Sequence, residues 1–221
     1  MNAPPHLPGW LLRFAFHLLY YQLAWTYDLV ARLVSFGQWG IWRRTATLFF
    51  REGPILELGY GTGGLMADML ASRLTPMGLD LSPYMAHLTR RRLLRQSRRA
   101  GRQGAIPRLV CGQARDLPFP DAAFANVVAT FPTEFILDPQ TLTSIARVLQ
   151  PEGCLVIVVM GYLKGPGPLR RLVEWLYRIT GQREIPEPEP LARLMQLGFT
   201  ARWERVTLEG ATARLLVATY P

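Results

Sequence analysis

Lysine is almost missing from this chain. Of 25 basic residues, Lys164 is the one lysine and the rest are arginine. That scarcity excludes chemistries. A phosphate-binding loop of the form GxxxxGK[ST] needs Gly before its Lys, and Leu163 stands there. A Tyr-x-x-x-Lys pair needs Tyr at position 160, where Met160 sits. Schiff-base catalysis has Lys164 or nothing. Cysteine is scarce too. Cys111 and Cys154 each stand in an apolar, strand-like run and read as buried free thiols. The 3 histidines are scattered, with no zinc-ligand spacing, so no metal site is expected. Long apolar runs are also absent. The uncharged run 14–27 is too short for a membrane span, which needs about 20 residues. The N-terminus, MNAPPHLPGW, has no basic segment of the secretory type, so the expected location is cytoplasmic.

Acidic residues are missing from one window. Between Leu81 and Arg115 lie nine Arg and no Asp or Glu, which accounts for the whole net charge of +9. The protein is thus one basic element on a neutral body. At 221 residues and 49% apolar composition it has material for one domain with an appendage.

What is present is an alternation. PILELG (54–59) is a short apolar run ending in Gly, the mark of a buried parallel strand. A helix over 63–72, a strand over 77–80 and an Arg-rich helix to about Ala100 follow. Ser82 is expected to cap that helix, with Pro83 at its first position. Strands are expected at 108–111 and 123–130, then a helix over 138–149 with Asp138 as cap. Pro151-Glu152-Gly153 should turn into a fully apolar strand, 154–160. A Pro-rich stretch and a short helix then precede two alternating segments joined at Gly210-Ala211, an antiparallel hairpin at a sheet edge. The fold class is α/β: a doubly wound, seven-stranded sheet, mostly parallel with a C-terminal antiparallel hairpin, and helices on both faces. Residues 1–50 read as a helical lid or extension, and 51–221 as the main domain with an insert at 163–185.

The sharpest motif is ELGYGTGG, Glu57 to Gly64. Gly59, Gly61 and Gly64 satisfy GxGxxG between a strand and a helix, and Gly63 adds another glycine. Glycine is needed there for left-handed backbone and for close approach to a ligand, and the next helix offers free N–H groups. Asp80 ends the following strand, where a carboxylate can accept bonds from ribose hydroxyls. Dinucleotides and S-adenosylmethionine both fit such a site. Glu57, two residues before the first Gly, suits a loop that faces an ammonium group. The roughly 50 residues ahead of the first strand also favour the second ligand.

These motifs resemble class I S-adenosylmethionine-dependent methyltransferases, in the small-molecule branch with ubiquinone and menaquinone methyltransferases, whose sheet is Rossmann-like. ILELGYGTG, MGLDLSPYM, GQARDLPFPDAAFANVV and RVLQPEGCLVIV occur in the family's order. The resemblance implies S-adenosylmethionine as methyl donor. It implies that Glu57, Gly59, Gly61 and Gly63 surround its methionine part. Asp80 would bind the ribose, Leu81 would pack on the adenine, and Gln113 and Ala114 would face the adenine edge. Thr130 and Phe131 would lie beside the sulfonium. The sequence departs from the family at Ala125, where Asp is frequent, and at Glu152, where Gly is usual.

For the acceptor the expectation is a small, partly apolar molecule, with nucleic acid disfavoured. No catalytic base is evident. Glu134, Tyr27 and Tyr162 are the weak candidates. Two segments offer a surface for peripheral membrane contact: residues 10–36 and a face carrying Arg91, Arg95, Arg98 and Arg102. Met85, Thr89, Leu93 and Ala100 would mark the opposite, inward side. Two other readings remain open: a nicotinamide-dependent oxidoreductase on the same sheet, and a non-catalytic membrane-surface or partner-binding protein. Oligomeric state is open as well.

Overall fold

A computed structural model describes residues 37–99, 107–162 and 188–221. Tyr27 and the 10–36 segment lie outside those residues, as do Ala100, Arg102 and the whole of the 163–185 insert.

The described chain opens with helix α1 (Trp39–Arg44) and a 3-10 turn, Thr45–Phe49. Strand β1 (Ile55–Leu58) leads to α2 (Gly64–Ala71), β2 (Met77–Asp80), α3 (Pro83–Arg99) and β3 (Leu109–Cys111). Then come β4 (Phe124–Thr130), a 3-10 turn (Glu134–Leu137), α4 (Pro139–Val148) and β5 (Leu149–Tyr162). Helix α5 (Pro188–Gln196) precedes the hairpin β6 (Thr200–Leu208) and β7 (Ala211–Thr219).

The sheet has 7 strands in the order β3-β2-β1-β4-β5-β7-β6. Strands β1 to β5 pair in parallel, and β7 runs antiparallel to both β5 and β6. The order reverses between β1 and β4, which opens a crevice beyond the strand C-termini. All four residues of β1 are buried, as expected for a strand covered on both faces. The two faces carry separate apolar clusters. One gathers Leu142, Ile145 and Val148 of α4 under Leu56, Val127 and Leu155. The other gathers Leu65, Met66 and Met69 of α2 with Met85 and Leu93 of α3 under Ile55, Val128 and Val156.

Local chemistry explains the element ends. The Met85 N–H donates to Ser82 Oγ at 3.3 Å, ahead of Pro83. Asp138 Oδ1 accepts from the N–H groups of Gln140 at 3.1 Å and Thr141 at 3.3 Å, capping α4. The hairpin turns at Glu209 (φ 48) and Gly210 (φ 81), the left-handed pair that suits the twist of two antiparallel strands. On α3, Met85, Thr89 and Leu93 are buried while Arg91, Arg95 and Arg98 are exposed, so the basic face points outward.

Besides the hairpin turn, which falls at Glu209-Gly210 and not at Gly210-Ala211, three details differ from the sequence reading. Cys154 is buried, but Cys111 is exposed because β3 is the sheet's edge and leaves that residue uncovered. Strand β5 begins at Leu149 rather than 154, and Pro151 to Gly153 form an irregularity in it, with Glu152 at φ 61. Beside Ala125, where the family frequently has Asp, Asn126 makes two hydrogen bonds to backbone. Asn126 is fully buried, its Oδ1 accepts the Arg51 N–H and its Nδ2 donates to the Arg51 carbonyl, both at 2.8 Å.

Candidate functional site

The glycine loop joins β1 to α2 at the crevice. Gly59 (φ 67), Gly61 (φ 51) and Gly63 (φ 73) all sit in left-handed backbone, which other residues adopt only under strain. Gly64 has ordinary helical backbone. The loop is held from both sides. Asp80 Oδ2 accepts the Gly61 N–H at 2.9 Å, and Asp80 Oδ1 accepts the Ser82 N–H at 2.9 Å. From α3, Thr89 Oγ1 donates to the Gly61 carbonyl at 2.7 Å, and Arg92 donates to the Thr62 carbonyl at 3.2 Å. A Cβ on Gly63 would lie 2.4 Å from Thr89 Cγ2, whereas one on Gly61 would meet no described residue within 4 Å. The loop is therefore pinned at its base and open at its tip.

Around the tip the expected residues converge from separate elements. Asp80 is buried, and burial raises its carboxyl above the usual range while the Ser82 and Gly61 N–H groups draw it down. Each of its oxygens has a lone pair left for a further donor. Next to it Leu81 is 62% exposed, a bare apolar platform beside a carboxylate. Gln113 is exposed and Ala114 half-buried, just past β3, whose Cys111 is in register with Asp80. Thr130 and Phe131 are half-buried at the end of β4. Phe131 has φ 50, and its N–H donates to the Val158 carbonyl at 2.7 Å. Its ring stacks on Trp39 with centroids 4.0 Å apart, and Trp42 meets it edge-on at 6.4 Å.

Glu57 is 1% exposed, and its Oε2 has no hydrogen-bond partner among the described residues. A buried, half-satisfied carboxylate is costly unless something cationic meets it. An ammonium group at the loop would supply that partner, so Glu57, the open Gly61, the unused lone pairs of Asp80 and the bare Leu81 together fit an adenosyl amino acid. Burial pushes the Glu57 carboxyl from its ordinary 4.5 up to about 8. The Arg43 charge pulls it down, Asp80 and Asp68 push it further up, and the Met66 N–H lowers it. The folded protein thus binds a proton at Glu57 over a range where the unfolded chain has already lost it. Stability from this group is full below about pH 4.5 and is lost as pH rises through about 8. We expect the melting temperature of the cofactor-free protein to fall between about pH 5 and about pH 8. The slope is at most one proton, about 1.4 kcal/mol per pH unit. Glu57→Gln should flatten it, and an unchanged slope in that variant would count against the assignment.

The weak catalytic candidates separate. Glu134 is exposed at the start of the turn after β4 and pairs with no described residue. Tyr162 is half-buried, with Arg205 5.1 Å over its ring, so its face is already covered. Sequence reasoning missed four residues at this site. Phe135 lies 3.4 Å from where a Gly59 Cβ would be. Tyr60, inside the motif itself, is 3% exposed, and its hydroxyl has no hydrogen-bond partner among the described residues. Burial first, then Asp80, Cys111 and Glu57, raise its phenol. Trp39 and Arg43 stand before β1, and no local pattern marks them.

Residues 56–157, which run from β1 into β5, match a protein family described as a methyltransferase domain. The chain is similar to the demethylmenaquinone methyltransferase of Thermus thermophilus, 34% identical over 174 residues, covering 76% of this chain and 74% of that protein. It is also similar to the demethylmenaquinone methyltransferase of Deinococcus radiodurans, 29% identical over 220 residues and 86% of each chain. Among solved structures, an S-adenosylmethionine-dependent methyltransferase from Thermotoga maritima has a TM-score of 0.61 at 17% identity. It covers 93% of this chain and 98% of that one, a likeness of fold.

Proposed function

We infer the acceptor from a fixed premise: this chain belongs to the class I S-adenosylmethionine-dependent methyltransferases, as a member of the methyltransferase domain family. Its reaction is methyl transfer and its methyl donor is S-adenosylmethionine. The relatives lend no support to an oxidoreductase or to a non-catalytic protein.

The proposed acceptor is a flat, apolar ring carrying hydroxyl groups, of the demethylated quinol type named for the relatives. The observation that carries this is the stacked pair Trp39–Phe131 beside Thr130, at the crevice end of β4. An aromatic wall of this kind orients a ring by offset stacking and excludes water from it. The bound donor supplies an electrophilic methyl group on a sulfonium, and much of the acceleration comes from holding the acceptor atom in line with it. In this proposal Asp80 and Leu81 hold the adenosine, with Gln113 and Ala114 at the adenine edge. Glu57 and the glycines hold the amino-acid end, while Thr130 and Phe131 border the methyl group.

A quinol ring becomes a stronger carbon nucleophile when a hydroxyl loses its proton. Two carboxylates flank the turn after β4. Asp138 caps α4 and pairs with Arg115 at 3.0 Å. That leaves Glu134, unpaired among the described residues, as the group to receive the proton. The test is methyl incorporation from labelled donor into a prenylated demethylnaphthoquinol, a polar catechol and transfer RNA. The expected result is labelling of the quinol alone, with Glu134→Gln lowering turnover at unchanged donor affinity. Labelling of the catechol or the RNA in preference to the quinol overturns the acceptor class.

A further inference from the structure

The amino-acid end of the methyl donor carries both an ammonium and a carboxylate. Glu57 answers the first, and nothing named so far answers the second. Arg43 stands at the same loop. Its Nε donates to Asp68 Oδ2 at 2.7 Å, which fixes the plane of the guanidinium, and its side chain is only 14% exposed. No other hydrogen bond joins this guanidinium to a described residue, though it carries five N–H donors. Its charge is the strongest influence opposing the burial of Glu57, so the guanidinium lies near that carboxyl.

Gly64 adds an independent observation. Two glycines stand in succession at the start of α2. Gly63 needs none of Arg43 to explain it, since it has φ 73 and packs on Thr89. Gly64 has no such backbone requirement. A Cβ there would instead lie 2.5 Å from Arg43 Nη1 and 2.9 Å from Cζ. The missing side chain makes room for a guanidinium lying on the first residue of α2, where free N–H groups already favour an anion.

We propose that Arg43 binds the α-carboxylate of the donor's amino-acid end, with Asp68 as its positioning residue, so that Glu57 and Arg43 clamp the zwitterion from two sides. The assignment rests on the methyltransferase reading above. A guanidinium is the group for such a task, because its planar donors match a carboxylate in pairs.

Calorimetry with two ligands tests it: S-adenosylhomocysteine, and 5′-methylthioadenosine, which keeps the nucleoside but lacks the amino acid. Arg43→Gln should weaken the first by about ten- to a hundredfold, the range for a charged hydrogen-bonded contact. It should leave the second within about twofold. Gly64→Ala should copy this selective loss by displacing the guanidinium. The variant's affinity for 5′-methylthioadenosine, expected within about twofold of wild type, separates ligand binding from folding. Asp68→Asn should give a smaller loss of the same selectivity. Equal weakening of both ligands, or undiminished S-adenosylhomocysteine affinity in Arg43→Gln, overturns the assignment alone. A wild-type protein that binds neither ligand overturns the methyltransferase reading and this assignment with it.

Discussion

Asp80→Ala is expected to lower the affinity for S-adenosylhomocysteine by about a hundredfold or more. The carboxylate is buried at the end of β2, with one lone pair on each oxygen already given to Gly61 and Ser82. In the proposed site the remaining pairs would accept from two ribose hydroxyls. Each such bond to an ionised acceptor contributes roughly 1.5–3 kcal/mol, and about 1.4 kcal/mol is tenfold. The substitution also strips the Gly61 N–H of its acceptor and loosens the loop tip. Affinity for 5′-methylthioadenosine should fall as well, because the ribose is common to both ligands. That sets Asp80 apart from Arg43, whose loss discriminates between them. Calorimetric affinities within about threefold of wild type for both ligands would remove Asp80 from the site.

Gly161→Ala is expected to cost about 3 kcal/mol of stability, read as a lowered urea midpoint. A Cβ on Gly161 would lie 2.0 Å from Trp42 Cδ2, 2.2 Å from Cε3 and 2.4 Å from Cε2. The indole therefore lies flat on the β5 backbone. It is 2% exposed and belongs to the core cluster on that face of the sheet, so it has no route out to solvent. Displacing it also displaces α1, which carries Trp39 and Arg43 as well. Weaker S-adenosylhomocysteine binding should accompany the loss of stability. Trp42→Leu in the Gly161→Ala background should cost less than the sum of the two single changes, since removing the ring relieves the clash. A Gly161→Ala protein with the wild-type midpoint would contradict this packing.

Elements whose rules are local were legible in the chain. β1 falls within the apolar run PILELG, because a strand covered on both faces demands sequence of that kind. The Ser82-Pro83 start of α3 and the Asp138 cap of α4 follow from the geometry of helix N-termini. The three left-handed glycines announce the loop, since little else tolerates that backbone. Partners far apart in sequence were less legible. Arg43 and Asp68 are 25 residues apart, and Arg205 covers Tyr162 from another strand. No periodicity records such meetings. Asn126 shows the same limit: its amide is bonded to the backbone of Arg51, 75 residues away, and nothing beside it in the chain names that partner.

By itself, then, the sequence determined the order of strands and helices, the glycine loop, the carboxylates Glu57 and Asp80, and the basic outer face of α3. Each of these follows from backbone sterics, capping or burial within a few residues. The tertiary structure decided which strand became the edge, and so why Cys111 is exposed. It also decided why Gly64 and Gly161 must lack side chains, and which cation stands over the loop. Those depend on how α1 crosses the sheet and α2, a contact between surfaces that the chain brings together only on folding.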